Sequence, residues 1–359
     1  MDEGRAIIDA DLGEILGRLG ARLESLSGGR VLITGAAGFL AAYIVDAIAR
    51  ANSEGLISPR CRLQLLLRSA PDPSGRLAGV AGRPDVDVIV ADVNAGYLLD
   101  PGLTHIVHAA SAASPGAFRS DPIGTALANT AALQRLLEHA RGGGVRSVLF
   151  FSSSEVYGDP DPAEIPTPET CAGRVDFTGP RACYAESKRF GETLCALYHA
   201  QHDVPVKVVR PFHVHGPGLR LDDGRIVVEL IRQGLRQGAL ELLSDGRATR
   251  CYGYVADATV GFLLALTSEH DGLAFNIGAD APETSILELA ATIAGVLQLP
   301  APAPAVTPLP EHLRGAPNRS CPDLTRARRL LGYAPQTSLE DGLRRTVDWF
   351  RAREAPGPV

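Results

Sequence analysis

Apolar residues recur at two different periods along this chain. At the start, Ile7, Ile8, Leu12, Ile15, Leu16, Leu19, Leu23 and Leu26 repeat at helical spacing until Gly28-Gly29 ends the pattern. Residues 1–29 are therefore predicted to form one or two amphipathic helices, packed on the body of the protein or on a partner subunit. From Arg30 onward compact apolar runs take over. Those at 30–34, 63–67, 86–90, 105–108, 145–151 and 206–210 read as buried strands. Helical stretches separate them: one up to Arg50, one from Pro122 to Arg141 carrying Asn129, and one containing Tyr184 and Lys188. Strands alternating with helices predict an α/β fold with a doubly wound parallel sheet.

Beyond about residue 212 the rhythm loosens. Residues 225–237 read as helix, 274–277 as strand, 283–297 as helix and 300–310 as a proline-rich loop, with two helices at the end. A smaller C-terminal α/β substrate-binding domain is the expected product, with chain segments crossing between the lobes.

The first strand runs into Gly35-Ala-Ala37-Gly38-Phe39-Leu40-Ala41. Glycines there allow a tight turn and a close approach of backbone to a pyrophosphate, which the following helix N-terminus then faces. Between a strand and a helix this pattern reads as a Rossmann-type dinucleotide site, although Ala41 stands where a third glycine is usual. Arg68, after the second strand, occupies the place where an acid ordinarily accepts the ribose hydroxyls of NAD, so NADP is possible as well. Asp92 and Val93 are expected at the adenine edge. The small residues Ala109, Ala110, Ser111 and Ser114 let ligands lie against backbone, and Pro211 closes the same pocket. His108 reads as a satisfied strand-end histidine. The expected division is then 1–29 as an extension, 30–212 with about 254–277 as the dinucleotide domain, and 213–253 with 278–359 as the substrate domain.

The strand ending at Phe151 breaks into Ser152-Ser153-Ser154-Glu155. Ligands of open parallel sheets bind beyond such strand ends. Tyr184 and Lys188 lie one helical turn apart on one face. An ammonium beside a phenol favours the phenolate, turning a group of pKa ~10 into a usable base. Of the 35 basic residues only Lys188 and Lys207 are lysine. A chain that uses arginine almost everywhere keeps a compact ammonium four residues after this tyrosine.

Composition narrows the remaining choices. The 359 residues are 45% hydrophobic, enough for a sizeable core, and the net charge of -6 without a long basic block argues against nucleic-acid binding. Cys61, Cys171, Cys183, Cys195, Cys251 and Cys321 form no metal-spaced cluster and read as buried thiols of a reducing compartment. No apolar run is long enough for a membrane span, and the early Asp2 and Glu3 do not resemble a signal peptide, so a cytoplasmic location is expected.

Over residues 30–350 the chain resembles the extended short-chain dehydrogenase/reductases that modify nucleotide sugars. It is most similar to the UDP-glucuronate decarboxylases. The resemblance rests on Ser153-Ser-Glu155-Val-Tyr-Gly-Asp-Pro160, Gly179-Pro-Arg181-Ala-Cys-Tyr184, Asp223-Gly-Arg225-Ile-Val-Val, Thr249-Arg250, Asn276-Ile-Gly and Pro322-Asp323. It implies a bound NAD, a UDP-sugar substrate and a homodimer built partly on the Tyr184 helix. Tyr184 and Lys188 would oxidise the sugar at C4, with Ser153 on the C4 oxygen. The new ketone is β to the C6 carboxylate, which can then leave as CO2. Glu155 would orient the ring or the leaving carboxyl group, and Arg250 would stabilise the enolate. Ser114, Phe118, Arg181, His213, Arg225, Tyr254 and Arg319 are the implied further substrate contacts.

The resemblance also discriminates within the group. Dehydratases resemble Asp-Glu where this chain has Ser154-Glu155, and 4-epimerases generally lack the Glu. Three positions depart from the decarboxylase pattern: His213 replaces Asn, His215 replaces Tyr or Phe, and Phe118 replaces a Tyr near the sugar. An altered pocket and some release of a 4-keto pentose are expected from them. An epimerase, a 4,6-dehydratase and a non-catalytic cofactor-binding sensor are the competing readings.

Overall fold

The computed structural model describes residues 3–73, 75–113, 116, 120–179, 181–300, 302 and 317–354. The predicted contacts Ser114 and Phe118, and most of the proline-rich loop, lie outside them. In chain order the elements are α1 (Glu3–Leu19), β1 (Arg30–Thr34), α2 (Phe39–Glu54), β2 (Arg62–Leu67), β3 (Val86–Val90), β4 (His105–His108), α3 (Pro122–Asn129), α4 (Ala131–Arg141) and β5 (Ser147–Phe151). There follow α5 (Ala182–His202), β6 (Val206–Pro211), β7 (Val214–His215), α6 (Ile226–Gln237), β8 (Thr249–Cys251), β9 (Gly253–Tyr254) and α7 (Val255–Leu266). The chain ends with β10 (Ala274–Ile277), β11 (Glu283–Ser285), α8 (Ile286–Leu297), β12 (Arg319–Ser320), α9 (Thr325–Leu331) and α10 (Leu339–Glu354).

Seven strands form one parallel sheet in the order β3-β2-β1-β4-β5-β6-β10. This is the expected doubly wound α/β sheet. The strand order reverses between β1 and β4, which opens a crevice at their carboxyl ends. Gly35 makes the turn there with a φ of +66°, and a Cβ on it would sit 2.7 Å from the Cα of Ala110. Only glycine fits so close a crossing. A second sheet, β11-β8-β12, and the pair β7-β9 build the other wall.

Two expected helices differ in the structure. Residues 122–141 are two helices, because Thr130 leaves helical geometry at φ −122° and ψ −80°. This break lets Asn129 donate to the Ser187 hydroxyl on α5 at 3.0 Å. Residues 283–285 are strand before the helix begins, since Ser285 and Glu288 form a reciprocal cap that starts α8 at Ile286.

The N-terminal helix packs on the body. Ile8, Leu12, Ile15, Leu16 and Leu19 join the main core beside α2, α7 and α10. Asp11, buried on its inner face, accepts from the hydroxyls of Tyr43 (2.8 Å) and Tyr254 (2.9 Å) and from Arg345 (3.0 Å). Arg18 pairs with Asp257 on α7. No helix among the described residues is long and apolar enough to cross a membrane.

Candidate active site

A cavity of about 1460 Å³ opens where the two sheets face each other. Its floor is the carboxyl end of β5. Ser152 borders it as well and donates to Glu192 at 2.5 Å. Ser153 faces the cavity in extended backbone, and its oxygen accepts from the Glu155 amide at 3.2 Å. Glu155 receives two hydrogen bonds from Arg181, at 2.6 and 3.1 Å.

Helix α5 begins right after Arg181, so Tyr184 and Lys188 stand on one face and both line the cavity. Lys188 Nζ donates to the Phe151 carbonyl at 2.5 Å and lies 5.7 Å from the centre of the Tyr184 ring. Burial pushes the Tyr184 phenol up, partly offset by a hydrogen bond with Ser153 and by the charges of Arg225 and Arg181. The expected lowering of this phenol by Lys188 is not what the geometry gives. Burial pushes Lys188 itself down to about 7, so near neutral pH it carries only part of a charge. The other lysine, Lys207, is a buried ion-pair partner of Asp271.

The cofactor end of the cavity is bounded by Gly38, Phe39 and Leu40, by Ala109 and Ser111, and by Pro211. Helix α2 has Gly38 as its N-cap, without a side chain to satisfy the first-turn amides. Those amides and the helix dipole suit a pyrophosphate. The Ser111 hydroxyl, buried at the cavity wall, makes no hydrogen bond among the described residues. The residues present therefore fit a bound dinucleotide. Gly35, Ala37 and Ala110 shape the turn behind this wall. Arg68, Asp92 and Val93 follow β2 and β3 and stand outside the cavity wall, with Arg68 and Asp92 exposed.

The opposite end is rich in arginine. Arg181, Arg225, Arg250 and Arg319 all line it, together with Glu283, which holds Arg319 at 2.8 Å through both oxygens. Arg250 donates to the backbone carbonyls of Thr249 (2.7 Å), Asn318 (3.2 Å) and Pro317 (2.5 Å). His213 bonds Ser320 at 2.8 Å, and burial with the nearby Arg250, Arg225 and Arg181 charges pushes it down to about 3. It is a neutral imidazole among cations. His108 bridges Thr34 and the Ala128 carbonyl at 2.8 Å each, away from the cavity.

Tyr254 requires a correction. Only 2% exposed, it points its hydroxyl at Asp11 and is not part of the cavity wall. Tyr252, which sequence reasoning passed over, lines the cavity with a buried hydroxyl that has no hydrogen-bond partner among the described residues. The chain leaves one sheet at Cys251 and joins another at Gly253, so strand alternation does not carry through Tyr252.

Known proteins agree with this architecture. A model of the NAD dependent epimerase/dehydratase family matches residues 31–278. UDP-glucuronic acid decarboxylase 5 of Arabidopsis thaliana is 32% identical over 324 residues, 90% of this chain and 90% of that protein. UDP-glucuronic acid decarboxylase 1 of Xenopus tropicalis is 34% identical over 325 residues, 90% of this chain and 72% of that protein. Among solved structures, MoeE5 in complex with UDP-glucuronic acid and NAD superposes with a TM-score of 0.71 at 26% identity, over 90% of this chain and 100% of that one.

Proposed function

The chain belongs to the NAD dependent epimerase/dehydratase family, and within it we propose that it is a UDP-glucuronate decarboxylase. The observation that carries this reading is the joint placement of Ser153, Glu155, Tyr184 and Lys188 on one wall of a cavity that Arg181, Arg225, Arg247, Arg250 and Arg319 also line. A proton-accepting set faces a region able to hold a diphosphate and a carboxylate. The similarity to decarboxylases of two organisms points the same way.

A bound NAD would supply the hydride acceptor, and its cationic nicotinamide would favour the Tyr184 phenolate. Tyr184 takes the proton of the sugar C4 hydroxyl while Ser153 holds the C4 oxygen. Lys188, anchored to the end of β5, orients the tyrosine and the cofactor ribose. With a ketone at C4, the C6 carboxylate is a β-keto acid and leaves as CO2. Arg250 stabilises the resulting enolate, and Glu155 and Arg181 orient the ring and manage the proton that replaces the carboxyl group. Arg225 and Arg319 take the diphosphate. Ser154 cannot serve as the acid that expels a C6 hydroxyl, which disfavours dehydration.

The pocket departures at His213 and His215 favour release of some 4-keto pentose beside the reduced product. A panel of UDP-, dTDP- and GDP-sugars with mass-spectrometric product detection tests the reading. UDP-glucuronate should lose its carboxyl group, and turnover of a neutral hexose alone contradicts it. Identifying the cofactor retained on purification distinguishes NAD from the NADP that Arg68 would admit.

A homodimer forms through α3 and α5. These helices pack on each other and still expose Ile123 (73%), Phe190 (53%) and Leu197 (55%). Phe190→Asp should give a monomer by light scattering. An unchanged mass rejects this face. The six free thiols suit a cytoplasmic protein.

A further inference from the structure

Cys251 and Cys321 lie directly behind the arginine wall. Their sulfurs are 2.7 Å apart, well inside the contact distance of two non-bonded sulfur atoms. Both residues are buried, at 0% and 2% exposure. The pairing of β8 with β12 brings them together. In this parallel register Thr249 faces Arg319 and Arg250 faces Ser320, so the next step sets Cys251 beside Cys321. Neighbouring strands lie about 5 Å apart, inside the Cα separation that a disulfide accepts.

The same two strands carry part of the site. Arg250 rests on the carbonyls of Pro317 and Asn318, immediately before β12. Arg319 is held to Glu283 on β11. The strand β12 is only two residues long, so two residue pairs are all that its ladder with β8 contributes.

We propose that Cys251 and Cys321 form a redox-active dithiol that closes to a disulfide under peroxide and locks the strands bearing Arg250 and Arg319 together. The bond and the lock do not depend on which sugar the enzyme uses. Either sulfur can take the first step; with Cys321, its sulfur attacks one peroxide oxygen. The S–O bond forms, the O–O bond breaks, and hydroxide leaves with the thiol proton as water. The Cys251 sulfur then attacks the sulfenic sulfur. The S–S bond forms, the S–O bond breaks, and hydroxide leaves with the second thiol proton as water. Two electrons pass from the thiols to peroxide, which ends as two waters.

The test treats the full-length protein with hydrogen peroxide, denatures it, alkylates free thiols and maps them by mass spectrometry. Cys251 and Cys321 should lose alkylation together and appear in one cross-linked peptide pair lighter by two hydrogens. Dithiothreitol should restore both. Cys321→Ser and Cys321→Ala should leave Cys251 alkylatable after peroxide. Hydrogen exchange at residues 249–251 and 317–321 should slow in the oxidised wild type and stay unchanged in both variants. The proposal is overturned if both thiols stay alkylatable, if one is over-oxidised without a cross-link, or if the bond forms and exchange in these strands does not change.

Discussion

The guanidinium of Arg181 donates two hydrogen bonds to the carboxylate of Glu155, at 2.6 and 3.1 Å. Both side chains are about three-quarters buried at the cavity wall, so the pair is neither a surface salt bridge nor a core one. It fixes a carboxylate beside Ser153 and couples it to the helix that carries Tyr184. Glu155→Gln keeps the shape and removes the charge. It should lower kcat about 10²-fold or more, with a smaller change in KM. Arg181→Ala should chiefly raise KM. Steady-state kinetics of both variants check this, and equal losses in KM alone would assign Glu155 to binding only.

Tyr184→Phe should lose turnover by about 10³-fold while retaining bound cofactor, because the ring stays and only the proton acceptor goes. A protein that merely senses its cofactor would bind it in both forms and turn over no sugar in either. The rate of the wild type should rise with pH as the phenol loses its proton. Lys188→Met should lower turnover through lost positioning of Tyr184 and leave the pH of that rising limb unchanged.

How much of this was legible beforehand differs by element. The strands 105–108 and 274–277 follow from their apolar runs, because a largely buried strand has little other composition open to it, and 86–90 follows from its β-branched residues although it is an edge strand with Val90 exposed. Tyr184 with Lys188, and Gly35 with Gly38, could be placed because their spacing acts within one helix or one turn. Tyr252 and Tyr254 could not be told apart, since which one faces the cavity depends on a switch between sheets. The same holds for Thr130, whose break between α3 and α4 serves a contact across to Ser187. Asp11 has no signal in the local sequence because its partners come from residues 43, 254 and 345. Long-range pairing of this kind leaves no local pattern.

The Asp11 network predicts a stability effect. Asp11→Ala strands the hydroxyls of Tyr43 and Tyr254 and removes a partner of Arg345. Leaving buried donors unsatisfied costs about 3 kcal/mol or more. Asp11→Asn should cost less, because an amide oxygen still accepts. Denaturant unfolding of the two variants measures the difference, and an alanine variant as stable as wild type would contradict the role given to α1.

Acidification should destabilise the protein through its buried imidazoles. Burial pushes His105 and His213 down to about 3 and His108 and His215 down to about 4, from an ordinary 6.5. Below pH 6.5 the unfolded chain binds protons that the native imidazoles refuse. Stability contributed by these groups is thus present above 6.5 and falls progressively as pH drops towards 4. Asp11, Asp46 and Asp223, raised by burial, act in the opposite sense and soften the trend. A melting temperature that decreases steadily from pH 7 to pH 5 is the expected result, and a flat profile would contradict it.

The central claim is that a C4 ketone formed at Tyr184 expels the sugar carboxyl group. Its most direct measurement is the release of labelled CO2 from UDP-glucuronate carrying the label at C6, with wild type and Tyr184→Phe run in parallel. The account predicts labelled gas from the wild type, equal to the pentose products formed, and almost none from the variant. Labelled carbon that stays in the nucleotide sugar after prolonged incubation with cofactor-loaded wild type would contradict it.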